Sequence, residues 1–265
     1  MKALYALNPE QLVAMSTRPK RPQLQGFYIW FSPVIDAWVL PMPLDKAIVM
    51  NKWNKVPLLL GSNMHEGAYF QREKPTSDIT EYYRLLSKDG LGDDLEILSK
   101  IYTVKDSSEI LEQSQQLVGD LGFGAPARAL ARMAIKKGEK AFLYHFTRTS
   151  KDTTGRFVKA LHSTELPFVF GYTVDKWVPY KRFNGINTND AFLAQVMSDY
   201  WLNFAKYGNP NGNAFNTKLQ TWPVYETKTN SYLELGEEIK PMINLRKLQY
   251  DGIDHFSKQK GEFRY

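Results

Sequence analysis

The sequence predicts an α/β fold built on a mostly parallel sheet with covering helices. Val56–Leu60 is a continuous apolar run closed by Gly61, the pattern of a strand buried on both faces. Lys140–Thr147 repeats the strand pattern, and it arrives only after three segments with helical signals. Sheets of this kind keep ligands and catalytic groups at the carboxyl ends of their strands.

Taken in order, residues 17–26 are rich in proline and charge and read as an irregular loop. Phe31–Asp36 reads as a short strand ending in a turn, and Pro41 and Pro43 forbid regular pairing after it. The Val56–Leu60 strand opens into a loop holding Asn63, His65, Glu66 and Gly67. Asp78 and Glu81 have capping-box spacing, and Ile79, Tyr82, Tyr83 and Leu86 then trace one helix face. Asp106 and Glu109 repeat that signal before Ile110, Leu111, Leu117 and Val118. Ala125–Lys137 is alanine-rich with a basic end, and Gly138 supplies its stop. After the Lys140–Thr147 strand, Thr149–Val158 reads as a loop. Asp190–Tyr207 carries a wide apolar stripe from Phe192 to Ala205 and ends at Gly208–Gly212. Thr221–Tyr225 and Ser231–Leu235 read as a closing strand pair.

The chain has 265 residues, 43% hydrophobic, 14% aromatic and 23% charged. That is ordinary for a globular domain with a sizeable core. Its net charge of +6 is mostly scattered, with Arg18–Pro22 the nearest thing to a cluster, so no nucleic-acid partner is expected. The absence of cysteine excludes disulfides, thiolate catalysis and cysteine-ligated zinc. No apolar run reaches the ~20 residues of a membrane span, and the N-terminus has too short an apolar stretch for a signal peptide. The sequence assigns no compartment.

Chemistry concentrates in two segments, Val56–Phe70 and His162–Gly171. An acid, Glu66, comes first and a histidine, His162, far downstream. On its own Glu66 reads as a loop carboxylate with a local hydrogen bond, and His162 as a structural histidine. His65 beside Glu66 lacks the His-Glu-x-x-His spacing of a zinc protease and reads as a solvated loop residue. His145 alternates along a strand and reads as structural, while His255 reads as surface. Glu165 reads either as an acid that tunes His162 or as a structural hydrogen-bonding group. Tyr69 and Phe70 read by composition as core aromatics, as do Phe123 and Trp201.

Together these segments resemble the C-terminal half of the type-B carboxylesterase and cholinesterase family. Gly61-Ser-Asn63-Met-His-Glu66-Gly67 matches its acid loop, and His162-Ser-Thr-Glu165-Leu-Pro167-Phe-Val-Phe-Gly171 its histidine segment. Asp120–Pro126 resembles a family helix start, Met197–Asn211 its late helix, and Trp222-Pro223 with Tyr232–Leu235 its closing strands. Five motifs in the family's order span nearly the whole chain. The resemblance implies the C-terminal portion of an α/β-hydrolase fold, with residues 1–265 forming one incomplete domain. Glu66 becomes the triad acid and His162 the base. Tyr69 and Phe70 become candidates for lining the acyl or alcohol side of the substrate gorge.

α/β-Hydrolases order their triad as serine, acid, histidine. This chain contains no Gly-x-Ser-x-Gly elbow, so it supplies no nucleophile. Ser62 and Ser163 sit on no elbow. The resemblance implies a small-molecule carboxylic ester as substrate, no metal and no cofactor. It also implies a nucleophile-bearing half upstream, and an exposed sheet edge that meets that half or a second copy. The rival expectation is a non-catalytic cholinesterase-like binding module or the remnant of a split gene.

Overall fold

The computed structural model describes residues 6–15, 33–43, 46–47, 50–88, 95–151, 157–171, 188–213 and 219–259. Its strands are β1 (Leu58–Asn63), β2 (Ala141–Phe146), the short β3 (Ser150–Lys151) and β4 (Phe157–Val158), β5 (Tyr232–Leu235) and β6 (Ile239–Met242). Its helices are α1 (Pro9–Met15), α2 (Glu66–Phe70), α3 (Ile79–Lys88), α4 (Leu95–Ile101), α5 (Ile110–Gly119), α6 (Ala125–Lys136), α7 (Leu166–Val169), α8 (Thr188–Tyr207) and α9 (Lys247–Gln259). A π-helical stretch, Asp120–Gly124, joins α5 to α6.

The main sheet runs β1-β2-β5-β6. β1 pairs with β2, and β2 with β5, in parallel, and β6 closes the sheet antiparallel to β5. Among the described residues β1 pairs on one side only. Side chains alternate across the strands, so each strand feeds two cores. Ala141 and Leu143 of β2, with Leu58 and Leu60 of β1, join the core of α3–α6 and α9. Phe142 and Phe146, with Leu59, Leu233 and Leu235, join the core of α7, α8 and Trp222. Covering both faces explains why these strands read as apolar runs. The expected α/β architecture, with mostly parallel pairing, is therefore present.

Several elements differ from expectation. β1 starts at Leu58 and continues to Asn63 instead of ending at Gly61. Val56 is exposed, and Pro57 has no N–H for a ladder. Gly61 lies opposite Tyr144, and a β-carbon there would stand 2.3 Å from the Tyr144 carbonyl oxygen and 2.5 Å from its ring. The glycine makes room for a neighbouring strand; it does not break its own.

Pro33–Asp36 forms no strand and is exposed. The Asp36 carboxylate instead accepts the N–H groups of Trp38, Val39 and Leu40 at 2.9, 2.8 and 3.0 Å, a side-chain-built turn. Phe31 and Ser32, and the 17–26 loop with its basic residues, lie outside the described residues. Within the expected Thr149–Val158 loop, β3 and β4 pair antiparallel.

The closing strand pair is also rearranged. Tyr232–Leu235 pairs with Ile239–Met242, not with Thr221–Tyr225. Pro241 is accommodated because β6 lies at the end of the sheet order, where a missing donor costs little. Thr221–Tyr225 forms no strand but is docked: the Trp222 indole donates to the Leu143 carbonyl at 3.0 Å and the Tyr225 N–H to the Ala141 carbonyl at 2.7 Å.

Helix starts follow the sequence signals in part. Asp78 Oδ1 accepts the Thr80 N–H at 2.7 Å and the Glu81 N–H at 3.4 Å, while Glu81 pairs with Arg84 and does not reach back. Asp106 caps the Ser108 N–H at 2.7 Å, one turn before α5 begins at Ile110. Gly138, at φ 84°, ends α6. In α8, Leu193, Val196, Met197 and Tyr200 are buried as expected, whereas Phe192 faces out.

Candidate acid–histidine site

The end of β1 builds the acid side of the site. Asn63 is the strand's last residue, and three positions later Glu66 opens α2. The Asn63 N–H donates to Glu66 Oε1 at 2.9 Å, which fixes one carboxylate oxygen from the backbone. Glu66 is buried, so the held orientation does not relax into water. Gly67 follows because α2 presses on α5. A β-carbon at Gly67 would stand 1.8 Å from the Gln115 carbonyl oxygen.

The histidine side is laid against the acid loop by backbone. His65 and Leu161 form an isolated parallel bridge, and the His65 N–H donates to the Ala160 carbonyl at 2.9 Å. His162 follows at once. Ser163 then takes φ 69°, a left-handed conformation that turns the chain sharply toward α7. The Thr164 hydroxyl closes the turn on the Leu161 carbonyl at 2.7 Å.

These two loops bring the expected pair together. His162 Nδ1 lies 2.8 Å from Glu66 Oε2. A carboxylate accepts only, so Nδ1 carries the proton and Nε2 presents a lone pair in the neutral ring. The hydrogen bond to Glu66 holds the imidazole above its ordinary value of 6.5, burial works against this, and the charges of Glu66 and Glu165 add to the rise. Sharing the site with two acids therefore favours imidazolium, the ion formed when a base takes a proton.

Among the described residues three aromatic rings surround the imidazole. Phe123, Phe70 and Tyr69 lie with ring centroids 5.0, 5.1 and 5.7 Å from it. Tyr69 and Phe70 are only half-buried and face the site as well as the interior. Phe123, expected in the core, is a wall of the site. Its signal in the sequence is the Gly on either side of it, which marks the irregular helical stretch that turns it inward. Trp201 packs against the α8-side core as expected.

Asn63 is a further component that sequence patterning alone did not single out. Its Nδ2 donates to the Leu161 carbonyl at 2.7 Å and also to Glu165 Oε2. Glu165 thus makes a structural hydrogen bond and also acts electrostatically on His162. Burial raises its own carboxyl, and the Asn63 hydrogen bond opposes that rise.

The other histidines lie in other settings. His65 is not solvated as expected. It is half-buried, and desolvation, with the nearby Lys159 charge, pulls it below 6.5. His145 is buried in β2, and burial pulls it down to about 4. His255 is exposed. Ser62 is buried. Among the described residues no cluster of three or more His, Asp or Glu side chains is arranged to hold a metal, and no helix is long and apolar enough to cross a membrane.

Glu66, just past the end of β1, and His162 downstream stand in the chain order in which α/β-hydrolases carry their acid and histidine. The chain belongs to the carboxylesterase family, whose model matches residues 1–252. Carboxylesterase 5A of Canis lupus familiaris is 28% identical over 271 residues, covering 95% of this chain and 43% of its own length. Carboxylesterase 5A of Felis catus is 30% identical across 83% of this chain and 41% of its own. Carboxylesterase 1C of Mus musculus is 27% identical across 81% of this chain and 40% of its own. The chain thus spans about two fifths of the length of these relatives.

Proposed function

We propose that this chain is the C-terminal, acid–base portion of a serine carboxylic ester hydrolase, with residues 1–265 forming an incomplete domain. The 2.8 Å contact between His162 Nδ1 and Glu66 Oε2 carries the reading. The nucleophilic serine comes from outside this chain, from a nucleophile-bearing N-terminal half. Serine Oγ attacks the ester carbonyl carbon while His162 Nε2 takes its proton. Glu66 keeps the ring in the required tautomer and stabilises the imidazolium. The imidazolium then protonates the departing alkoxide, leaving an acyl-serine. Water, deprotonated by the same Nε2, attacks the acyl carbon, and the imidazolium returns that proton to the serine Oγ as the carboxylic acid departs. Tyr69 and Phe70 line the acyl or alcohol side of a small-molecule ester. The chemistry calls for no metal or cofactor.

Alone the chain is expected to be inactive, because a base without a nucleophile lacks the acyl-transfer step. β1, whose outer edge is unpaired among the described residues, offers that edge to the serine-bearing half, or to a second copy when that half is absent. Intact-mass analysis of the protein captured from its native source without denaturation, combined with fluorophosphonate labelling, tests this. A longer chain or a bound partner that carries the label supports the reading. A lone species of 30.6 kDa that takes no label overturns it and leaves a non-catalytic module.

A further inference from the structure

We propose that Asn63 is a positioning residue that clamps the histidine loop to the acid loop, with Glu165 as its anchor. This rests on the acid–base reading of Glu66 and His162. Asn63 bonds to the acid and to both sides of the histidine turn. Its backbone N–H holds Glu66 Oε1 at 2.9 Å. Its side-chain Nδ2 holds the carbonyl of Leu161, the residue before His162, at 2.7 Å. The same Nδ2 donates to Glu165, three residues beyond His162. The histidine is thereby gripped on both sides of its turn by the residue that also grips the acid.

The amide orientation follows from its partners. Leu161 offers a carbonyl and Glu165 a carboxylate, so only the NH2 end fits between them. The other end carries a cost: Asn63 Oδ1 is buried with no hydrogen-bond partner among the described residues. An unpaired buried carbonyl is unfavourable, and an apolar side chain of the same size avoids it. The amide gains its two loop contacts against that penalty. The strain at Ser163, φ 69°, lies within the gripped turn, where surrounding contacts must hold it.

Glu165 is also more than a nearby charge. It caps no helix N–H with its side chain although it opens α7. Its carboxylate is turned toward Asn63. Removing only its charge differs from removing its hydrogen-bonding oxygen, and this separates positioning from electrostatics.

The test is proton NMR of the full chain, following the His162 ring titration and its downfield Nδ1–H resonance. In the wild type that resonance is present, and Glu66→Gln lowers the titration midpoint. A midpoint unmoved by Glu66→Gln overturns the acid–base reading itself, and the clamp with it. With that control satisfied, Asn63→Ala is expected to broaden or remove the Nδ1–H resonance and to lower the midpoint. An unchanged resonance and midpoint overturns the clamp alone. Should Asn63→Ala fail to fold, Glu165 decides. Glu165→Gln keeps an acceptor for Nδ2, so it retains the resonance while the lost charge lowers the midpoint. Glu165→Ala weakens both. Identical effects of Gln and Ala leave only electrostatics and overturn the clamp.

Discussion

Gly67 and Gln115 are in backbone contact: a single added methyl group at Gly67 would penetrate to 1.8 Å from the Gln115 carbonyl oxygen. Gly119 lies across the same crossing, and a β-carbon there would stand 3.2 Å from the Gly67 nitrogen. Gln115 also donates from Nε2 to the Gln71 carbonyl at 2.8 Å, tying α5 to the end of α2. Two glycines let two helices touch backbone to backbone directly beside Glu66.

Gly67→Ala is therefore expected to force α2 and α5 apart and to destabilise the chain by about 3 kcal/mol, the upper range for an overpacked site. Urea unfolding measures it. Because Glu66 is the neighbouring residue, the His162 Nδ1–H resonance should weaken in the same variant. A loss under about 0.5 kcal/mol would show that the crossing relaxes easily.

A second prediction concerns the ion pair behind the site. Arg246 clasps Asp120 with Nε to Oδ1 and Nη2 to Oδ2, both at 2.6 Å, and the Tyr102 hydroxyl adds a bond to Oδ2 at 2.7 Å. Burial raises the Asp120 carboxyl, and Arg246 is the main force opposing that rise. Arg246→Ala strands a buried carboxylate and is expected to cost about 3–5 kcal/mol. The double variant Arg246→Met, Asp120→Leu is expected to cost much less, since no charge is left behind. Denaturant melts of both proteins compare the two, and equal losses would refute this account.

Acid should destabilise the fold through His145. Its folded pKa of about 4 lies below the ordinary 6.5, so between those values the unfolded chain binds more protons. Stability is full above pH 6.5 and falls as pH drops toward 4, by roughly 3 kcal/mol from this group. His65 is shifted in the same direction. Chemical unfolding at stepped pH values should give a shallower acid limb for His145→Asn than for the wild type. Parallel limbs would remove His145 from the explanation.

His162 carries the opposite sign. Its pKa is raised, so the stability its pairing provides is full below 6.5 and is lost as pH climbs through the folded value. In the proposed role His162 acts as the neutral ring. If that role holds, kcat/KM of the chain joined to a serine-bearing half should rise with pH along a limb whose midpoint lies above 6.5. A midpoint at or below 6.5 would mean that Glu66 does not govern the base.

Much of this site was legible in the sequence because its signals are local. The apolar run, Gly61 and the Asn-x-x-Glu-Gly spacing placed Glu66 at a strand end, and the His-x-x-Glu-Leu-Pro segment marked His162. Tyr69 and Phe70 follow the acid within one helical turn. Phe123 was misread because the π-helical stretch Asp120–Gly124 adds residues per turn and changes the direction its side chain faces. The Asn63 clamp joins residues from two loops, and no periodicity records such a meeting.

The missed elements have local causes. α9 contains Gly252, which weakens a helix reading. In the fold that glycine admits Ile101, whose Cδ1 would lie 2.3 Å from a β-carbon there. The reassigned closing pair turns on Pro241, a residue that argues against strand until the strand is known to be an edge. Thr221–Tyr225 read as strand from its aromatic and β-branched residues beside a polar turn, but it is an irregular segment anchored to β2.

The parallel pairing of the sheet also sets when the site can exist. Leu58 must find Ala141, and Tyr144 must find Leu233, before β1, β2 and β5 are joined. Glu66 and His162 stand 96 positions apart, and their bridge at His65 and Leu161 extends this same long-range pairing. Closing such loops costs entropy before any contact rewards it, which places this topology among slow-folding ones. During synthesis the acid emerges long before its histidine, and β1 must wait exposed for β2. The ring resonance of His162 is accordingly a clock for the finished fold: it registers only after the distant halves of this chain have met.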